Sequence, residues 1–512
     1  MKRTLLLGFL LMAMVSCKKD RPISTEPEFF VNEDASTFSE TASFDVGEAG
    51  AAEITAFDPI TKKLFVVKNE NEGLANQVNQ IEVIDFSNPS AMKSIGFIAM
   101  LPFGGAVNSV AVHDGKLAAA IQSTDKQANG KVVIFKTSDH SKIAEIVVGA
   151  LPDMVTFSPD GKYIMSANEG EPSADYKNDP SGTISIISVA DNYAVTTIDF
   201  SSMAGQQADL MSKGLRIFGK DATFVKDIEP EYITISEDSK TAWVTLQENN
   251  AIAKINIATK TITNIFPLGF KDYSLAGNEI DPSDADEVYK PGKWNVKGMY
   301  LPDAITLLED NGTPYLFTAN EGDSREYDAF SEMLRVKSKD LKLDATAFPD
   351  AATLKLDANL GRLNVTTSLG DKDGDGDLDE LYSLGSRSFS IWNGNTGAQV
   401  FDSKNELDKI CVDAGVYDDK RSDDKSVEPE GITIGKVGNK KVAFVGMERV
   451  DAVAVYDLTI PSKPVFLQLL KCGDAPEGLL FIPAKDSPTQ KSLLLVSSEG
   501  DGIIKVYTPK TI

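Results

Sequence analysis

Histidine, cysteine and basic residues are scarce in this sequence. Only 2 of its 512 residues are His and 3 are Cys, which argues against histidine-based metal sites and a Ser-His-Asp triad. The 51 basic residues are outnumbered by 76 acidic ones, and the resulting net charge of −25 excludes the basic surface that nucleic-acid binding needs. An apolar content of 42% with 38 Gly and 23 Pro is typical of a turn-rich globular chain. The informative question is therefore where the excess carboxylates lie.

The first 17 residues have the pattern of a bacterial lipoprotein signal peptide. Two basic residues precede an apolar run from Leu5 to Val15, and Met14–Cys17 resembles a lipobox, in which Cys17 is lipidated after cleavage. The run is too short for an ordinary transmembrane helix, and no later stretch is long and apolar enough to span a membrane. A plain cleaved signal peptide, with an incidental cysteine, is the alternative.

The residues after Cys17 predict a link between a membrane and a folded domain. Residues 18–37 are polar and contain proline, which favours a flexible tether. The charged start of this segment is consistent with the outer membrane, so we expect a lipid-anchored protein of the cell envelope, on either the periplasmic or the outer side. The other two cysteines, Cys411 and Cys472, form either a disulfide or two free thiols.

A repeated unit runs along the chain with unequal spacing. It consists of a Pro-acid pair, an apolar strand, a turn, a second strand that ends in Glu, a loop and an alternating third strand, as in Pro152–Ile187. Further copies begin at Pro230, Pro302, Pro429 and Pro476, and weaker copies begin near Ala52 and Asn108. The third strands are predicted at Ile81–Asp85, Val132–Lys136, Ile184–Ser188, Ile252–Ile257, Phe389–Asn393, Val453–Asp457 and Ile503–Tyr507.

These seven units predict an all-β protein, a seven-bladed β-propeller of four-stranded antiparallel blades. The last unit stops after its third strand, whereas residues 38–46 resemble a spare fourth strand ahead of the first unit. We expect this N-terminal strand to complete the last blade and close the ring, so that residues 38–512 form one domain. A pair of β-sandwiches or a solenoid explains the displaced strand less well.

Four insertions account for the uneven spacing, at about 200–227, 266–300, 322–385 and 404–428. The longest, 322–385, falls between a second and a third strand, and the others precede a first strand. Both kinds of connection emerge on the same face of a propeller blade. The insertions are therefore predicted on one face, where functional loops are usually concentrated.

Eleven carboxylates, which we name the acidic mouth, are predicted to gather on that face. They are the acids that open first strands and those that end second strands: Asp153, Glu231, Asp303, Glu430, Glu477, Glu70, Glu169, Glu248, Glu321, Glu448 and Glu499. Like charges at such positions raise one another's pKa, and a hard cation with oxygen ligands relieves the repulsion. In the alternative, these acids cap loop amides and pair with Arg325, Arg335, Arg387 and Arg449.

Residues 371–379 of the longest insertion, the Asp-rich loop, begin like an EF-hand calcium loop. The predicted metal ligands are Asp371, Asp373, Asp375, Asp377 and Asp379. Tyr382 stands where a bidentate Glu is expected, so another acid, such as Glu380, would have to complete the site. Calcium is the predicted cofactor, with another divalent metal as an option. A solvated acidic turn is the alternative.

Catalysis has no comparable signal, since the motif Gly-x-Ser-x-Gly is absent. Clustered carboxylates with an arginine can nevertheless build a metal-assisted phosphoesterase. The residues of this alternative are Glu169, Asp303, Glu321 and Arg325.

Several phrases of the sequence resemble the choice-of-anchor I family. They are Leu151–Tyr163, Ala167–Pro172, Thr318–Tyr327, Gly361–Thr366, Leu369–Asp377 and Ser386–Trp392, within a resemblance over about residues 40–510. The resemblance implies a secreted or surface bacterial protein, in a family that uses varied attachment devices and is similar to mesenchyme-specific cell-surface glycoproteins of biomineralising cells. Some members are described as alkaline phosphatases, although no phosphatase nucleophile motif occurs here.

Two hypotheses of different class follow. The first is a lipid-anchored binding or scaffold propeller, in which calcium orders the 322–385 insertion over the acidic mouth. Its partners are the membrane, through Cys17, and a protein, glycan or small molecule that the sequence does not identify. The second is a metal-dependent phosphoesterase.

Overall fold

The structure is a computed structural model that describes residues 29–71 and 73–512. The predicted signal peptide, the lipobox with Cys17 and the first part of the tether lie outside the described residues. The described part contains seven four-stranded antiparallel sheets, so the predicted all-β class and the four-stranded antiparallel sheets are confirmed. We number the sheets 1 to 7 by the chain order of their first strands.

The strand bounds, from the first to the fourth strand of each sheet, are as follows. They are Ala51–Asp58, Lys63–Glu70, Val78–Asp85 and Lys93–Ala99 in sheet 1; Val107–His113, Lys116–Ile121, Asn129–Lys136 and Lys142–Ala150 in sheet 2; Pro152–Phe157, Tyr163–Asn168, Thr183–Ser188 and Ala194–Ile198 in sheet 3; Ile233–Ile235, Thr241–Leu246, Ala251–Asn256 and Thr261–Pro267 in sheet 4; Ile305–Asp310, Thr313–Ala319, Phe389–Asn393 and Gln399–Asp402 in sheet 5; Pro429–Val437, Lys440–Met447, Ala452–Asp457 and Val465–Lys471 in sheet 6; and Pro476–Ile482, Leu493–Ser498, Ile503–Thr511 and Glu33–Asp45 in sheet 7.

Sheet 7 takes its fourth strand from the N-terminal part of the chain. Glu33–Asp45 pairs antiparallel with Ile503–Thr511. The buried Glu33 carboxylate accepts hydrogen bonds from the Ser492 backbone N–H at 2.9 Å and from its hydroxyl at 2.7 Å. The predicted tether therefore cannot extend to residue 37, because the strand begins at Glu33 and Ala35 is already 1% exposed.

The hydrophobic core is divided into layers between neighbouring sheets. Phe65 and Val83 of sheet 1 pack with Leu117 of sheet 2, and Leu64 of sheet 1 packs on its other side with Leu495 of sheet 7. Second and third strands are covered on both faces in this way, which explains their nearly continuous apolar runs.

The insertions contain short elements. Their α-helices are Gln207–Ser212, Phe224–Asp227, Ala351–Leu354 and Glu406–Ala414, their 3₁₀ turns Ser201–Gln206 and Asp419–Arg421, and their strands Phe270–Asp272, Lys297–Met299, Glu326–Tyr327, Phe330–Ser331, Met333–Arg335, Asn364–Thr366 and Tyr382–Ser383. Two further 3₁₀ turns, Pro89–Ala91 and Glu448–Val450, lie within sheets 1 and 6. Both Cys411 and Cys472 are free thiols.

Candidate functional site

A cavity of about 50 Å³ lies where the first strands of the seven sheets converge. Every sheet contributes a residue in, or next to, its first strand. For sheets 1 to 7 in order, these include Ile54, Asn108, Asp153, Tyr232, Asp303, Ile432 and Glu477. Three predicted residues of the acidic mouth, Asp153, Asp303 and Glu477, thus share one cavity.

A repeated backbone conformation places these acids beside the ends of the second strands. In sheets 3, 5, 6 and 7, the residue before the proline of the Pro-acid pair has a positive φ, which is uncommon outside glycine and costs about 1–3 kcal/mol. These residues are Leu151 (47°), Leu301 (44°), Glu428 (49°) and Ala475 (52°). The carbonyl of each accepts a backbone hydrogen bond from the end of the second strand, donated by Glu169, Gly322, Glu448 and Glu499 at 2.8, 3.1, 3.0 and 3.0 Å. The strained turn and this hydrogen bond together bring the two predicted sets of carboxylates side by side.

Glu70 ends the second strand of sheet 1, as predicted, but it does not donate the backbone hydrogen bond found in the other sheets. In sheets 1 and 2, the equivalent hydrogen bond is donated by Asn69 and Gln122, at 2.7 and 3.0 Å. Glu70 lies one position further on, where its carboxylate is 3.2 Å from the Lys68 ammonium and accepts the Glu48 N–H at 2.8 Å. Sheets 1 and 2 therefore present amide side chains at this position, whereas sheets 3, 6 and 7 present carboxylates.

Glu169, Glu231 and Glu248 form what we name the first carboxylate group. One oxygen of each lies within 4.8 Å of the others. Glu231 and Glu248 are only 8% and 5% exposed, and Oε2 of each has no hydrogen-bond partner among the described residues. Burial, followed by the neighbouring carboxylates, raises the pKa of Glu169 and Glu231 well above the usual range, and burial raises the pKa of Glu248 to about 8. Burial and the mutual repulsion of these acids thus favour their protonated forms, and the charge of Arg325 opposes this effect at Glu248.

The second carboxylate group is centred on Glu321. Its carboxylate is within 4.8 Å of those of Asp303 and Glu430 on one side, and of Glu428 and Glu448 on the other. Burial and then neighbouring carboxylates raise the pKa of both Asp303 and Glu430 well above the usual range. Glu428 was not expected at this site.

A buried lysine distinguishes the second carboxylate group from the first. The ammonium of Lys425, which is 8% exposed, lies 2.9 Å from Glu321, 3.2 Å from Glu428 and 3.7 Å from Asp323. Burial opposes ionisation of Glu321, but the Lys425 ammonium outweighs it, and the pKa of Glu321 is lowered. The pKa of Lys425 is raised despite its burial, because Glu321 and Glu428 stabilise its charge.

Arg325 is fully engaged by a second set of acids and does not face a free ligand position. It is 2% exposed, its Nε and Nη2 lie 3.0 and 2.6 Å from a carboxylate oxygen of Glu229, and its Nη1 contacts the Asp227 carboxylate. Nη2 also donates to the Asp227 carbonyl at 2.7 Å, and the guanidinium stacks 4.6 Å from the Phe218 ring. This geometry disfavours a phosphate-binding role for Arg325, because the guanidinium is buried and already paired with two carboxylates.

Four arginines were proposed as partners of the acidic mouth. Among the described residues, only Arg449 forms an ion pair with one of its acids, Glu448, at 2.7 Å. Arg335 instead pairs with Asp423, and the buried Arg387 donates to backbone carbonyls. Arginine pairing therefore does not neutralise most of the acidic mouth.

The Asp-rich loop brings three of its five predicted ligands together. Oxygens of Asp371, Asp373 and Asp379 lie within 4.8 Å of one another. The Asp371 carboxylate accepts backbone N–H groups of Gly374 at 2.7 Å and Gly376 at 3.0 Å, so the loop curls around its own first acid. Both glycines have positive φ, +79° and +92°, which lets the backbone turn this tightly.

Two other predicted ligands, Asp375 and Asp377, lie outside this group of three. Glu380 does not complete it either, since its carboxylate is 2.7 Å from the ammonium groups of both Lys297 and Lys372. Its pKa falls to about 2, because these contacts outweigh burial.

An open cleft of about 580 Å³ adjoins the acidic mouth above sheets 1, 2, 3 and 7. The polar side chains that line it are Glu53, Asn69, Asn71, Asn108, Gln122, Lys126, Asp153, Glu169, Glu171, Glu477 and Glu499. Glu169 belongs both to this cleft and to the first carboxylate group. The 322–385 insertion also reaches this cleft, where the Tyr327 hydroxyl donates to Glu171 at 3.2 Å.

The fold and the site together define a β-propeller with a carboxylate-lined mouth. A solved structure with a similar fold contains the WD40 repeats of RRP9, with a TM-score of 0.50 and 8% identity over 94% of this chain and 100% of that one. WD40 repeats form four-stranded propeller blades, so this likeness supports the fold alone.

The sequence profile of the choice-of-anchor I domain matches residues 53–461, and the chain belongs to this family. Gigasin-3a of Magallana gigas is 27% identical over 189 residues, 30% of this chain and 66% of the relative. A mesenchyme-specific cell surface glycoprotein of Strongylocentrotus purpuratus is 26% identical over 307 residues, 51% of this chain and 39% of the relative. The chain thus spans less than two thirds of either relative.

The family points to a surface or secreted protein. In the part of the chain that the structure describes, no helix has the length and apolar character that crossing a membrane requires.

Proposed function

We propose that this protein is a lipid-anchored cell-envelope propeller that acts as a binding or scaffold protein and associates with calcium. The observation that carries the proposal is a pair of buried carboxylate oxygens, Oε2 of Glu231 and of Glu248, that have no hydrogen-bond partner within residues 29–71 and 73–512. An uncompensated buried charge is strongly unfavourable, and oxygen-rich sites of this kind suit a hard divalent cation. Calcium at the acidic mouth would supply the missing positive charge.

We infer further that the seven sheets are the blades of one closed ring. The first strands of consecutive sheets contact one another, and the first strand of sheet 7 contacts that of sheet 1. Closure of this kind limits exposed sheet edges. It would also surround the acidic mouth with all seven blades, on the face that carries the insertions.

The anchor is the lipid on Cys17. We expect Cys17→Ser to abolish incorporation of radiolabelled palmitate and to move the protein from the membrane fraction to the soluble fraction, because the lipid is the proposed attachment. Cys472→Ser is the matched control and should change neither result. If the Cys17→Ser variant takes up no palmitate but stays in the membrane fraction, the proposed lipid anchor is contradicted. Protease treatment of intact cells would show which side of the membrane the domain faces.

The Asp-rich loop is the second proposed calcium site. A ligand that binds only the folded state at about 100 times its Kd stabilises that state by about 2.7 kcal/mol. The double substitution Asp371→Asn and Asp373→Asn should remove roughly this contribution, which calcium titrations followed by thermal unfolding would measure.

The control for this experiment is the double substitution Asp139→Asn and Asp175→Asn. Both aspartates are exposed and each accepts a hydrogen bond from the backbone N–H two residues later, as in the Asp-rich loop. If calcium raises the unfolding temperature equally in the loop variant, the control and the natural protein, calcium does not bind at the Asp-rich loop.

No observation favours the phosphoesterase. Its proposed arginine is buried in the pairs with Asp227 and Glu229, so the site offers no free guanidinium for a phosphate.

A further inference from the structure

We propose that the acidic mouth binds one divalent cation, at Glu169, Glu231 and Glu248, and that the ammonium of Lys425 occupies a second, equivalent cation position. This inference rests on the proposed calcium association, and it specifies where the ion lies and how many ions the mouth holds.

The first carboxylate group has the properties of an empty cation position. Its three carboxylates can approach a common point, and no lysine or arginine nitrogen forms an ion pair with them among residues 29–71 and 73–512. Glu231 and Glu248 are more than nine-tenths buried and each keeps one oxygen without a partner. Carboxylate oxygens alone suit calcium, magnesium or manganese better than softer metals.

The second carboxylate group already has its cation. The Lys425 nitrogen lies 2.9 Å from Glu321 and 3.2 Å from Glu428, and lysine is a compact point charge. In contrast to Glu231 and Glu248, Glu321 has partners on both oxygens, since its Oε2 accepts the Gln247 amide at 2.9 Å. Oε2 of Glu430 also has no hydrogen-bond partner among the described residues. The ammonium on Glu321 nevertheless repels a divalent ion from both sides of that carboxylate, because Glu321 is shared by the two halves of the group.

The first position is also accessible. Glu169 lines the open cleft of about 580 Å³, so an ion can reach the first carboxylate group from solvent without disrupting a sheet. Calcium binds 6–8 oxygens, and the coordination positions that the three carboxylates leave vacant would be filled by water or by a ligand in the cleft.

The test counts bound ions by equilibrium dialysis with radioactive calcium. The full chain in detergent is used in the Asp371→Asn and Asp373→Asn background, so that the mouth is measured without the loop. One ion per chain is expected. Adding Glu231→Gln and Glu248→Gln should reduce this to zero, and adding Lys425→Met should raise it to two. Glu70→Gln is the control and should leave one, because the Glu70 carboxylate contacts Lys68 and Glu48 and belongs to neither carboxylate group.

Each outcome bears on a different statement. One bound ion in the Glu231→Gln and Glu248→Gln variant would place the ion elsewhere and overturn the first part of the inference. A count that stays at one in folded Lys425→Met would overturn the second part. Absence of bound calcium from the unmodified chain would contradict the proposed function itself. Circular dichroism checks that each variant is folded. If the Glu231→Gln and Glu248→Gln variant is unfolded, Glu169→Gln replaces it, because Glu169 is partly exposed. The affinity of this variant for calcium should be at least tenfold lower.

Discussion

Deletion of residues 29–45 is expected to abolish folding of the domain. This segment supplies the fourth strand of sheet 7, and its Phe38 ring packs edge-on against Phe444 of sheet 6 at 5.2 Å. The deletion would leave Ile503–Thr511 as an unpaired edge and would uncover the apolar cluster around Phe38. Replacing a buried Phe by Ala alone costs about 3–5 kcal/mol, a large part of the 5–15 kcal/mol that stabilises a typical protein.

Soluble yield and circular dichroism of the deletion variant would test this expectation. Phe38→Ala gives a graded version, with an expected loss of about 3–5 kcal/mol in the free energy of unfolding. Ser39→Ala, at an exposed position of the same strand, is the control and should stay within about 0.5 kcal/mol. A synthetic peptide of residues 29–45 should restore folding in trans. Cooperative, soluble folding of the deletion variant without the peptide would contradict the inferred closure.

Arg325→Met is expected to lower the free energy of unfolding by about 3–5 kcal/mol, because removal of one partner leaves buried charges uncompensated. The residues left behind are Asp227 and Glu229, each 2% exposed at its side chain. Burial raises the pKa of Glu229 well above its usual range even with the guanidinium present. Denaturant unfolding at neutral pH would measure the loss.

The variant that combines Arg325→Met with Asp227→Asn and Glu229→Gln should recover part of this stability, since it removes the uncompensated charges together. Lys177→Ala breaks an exposed ion pair with Asp175 and should change the free energy of unfolding by less than about 0.5 kcal/mol. If Arg325→Met unfolds like the natural protein, the guanidinium does not have the structural role assigned to it here.

The repeat pattern was readable from the sequence because five of the seven sheets combine short apolar strands with a proline and an acid at or just before the start of the first strand. The same pattern could not show that Asn69, and not Glu70, donates the backbone hydrogen bond at the end of this strand, because that hydrogen bond is invisible in sequence. The start of the N-terminal strand was also missed, because Glu33 is buried by a specific interaction with Ser492 and does not look like a strand residue.

The partners within the site were harder to predict than its acids. Glu229 and Glu428 stand immediately before Pro230 and Pro429, so an acid-Pro-acid pattern was available as a signal. Lys425 had no such signal, because its partner Glu321 is 104 residues away in the chain. The insertions supply the side chain, such as that of Lys425, that neutralises a buried acid. The local sequence of an insertion does not show which sheet it contacts.

The central proposal is that bound cations compensate the negative charge of the buried carboxylates. The most direct measurement is denaturant unfolding of the natural protein in excess calcium and in excess chelator. At calcium concentrations of about 100 times Kd, the free energy of unfolding should be higher by at least about 2.7 kcal/mol than in chelator. Superimposable unfolding transitions in the two conditions would contradict the proposal that calcium binds this protein.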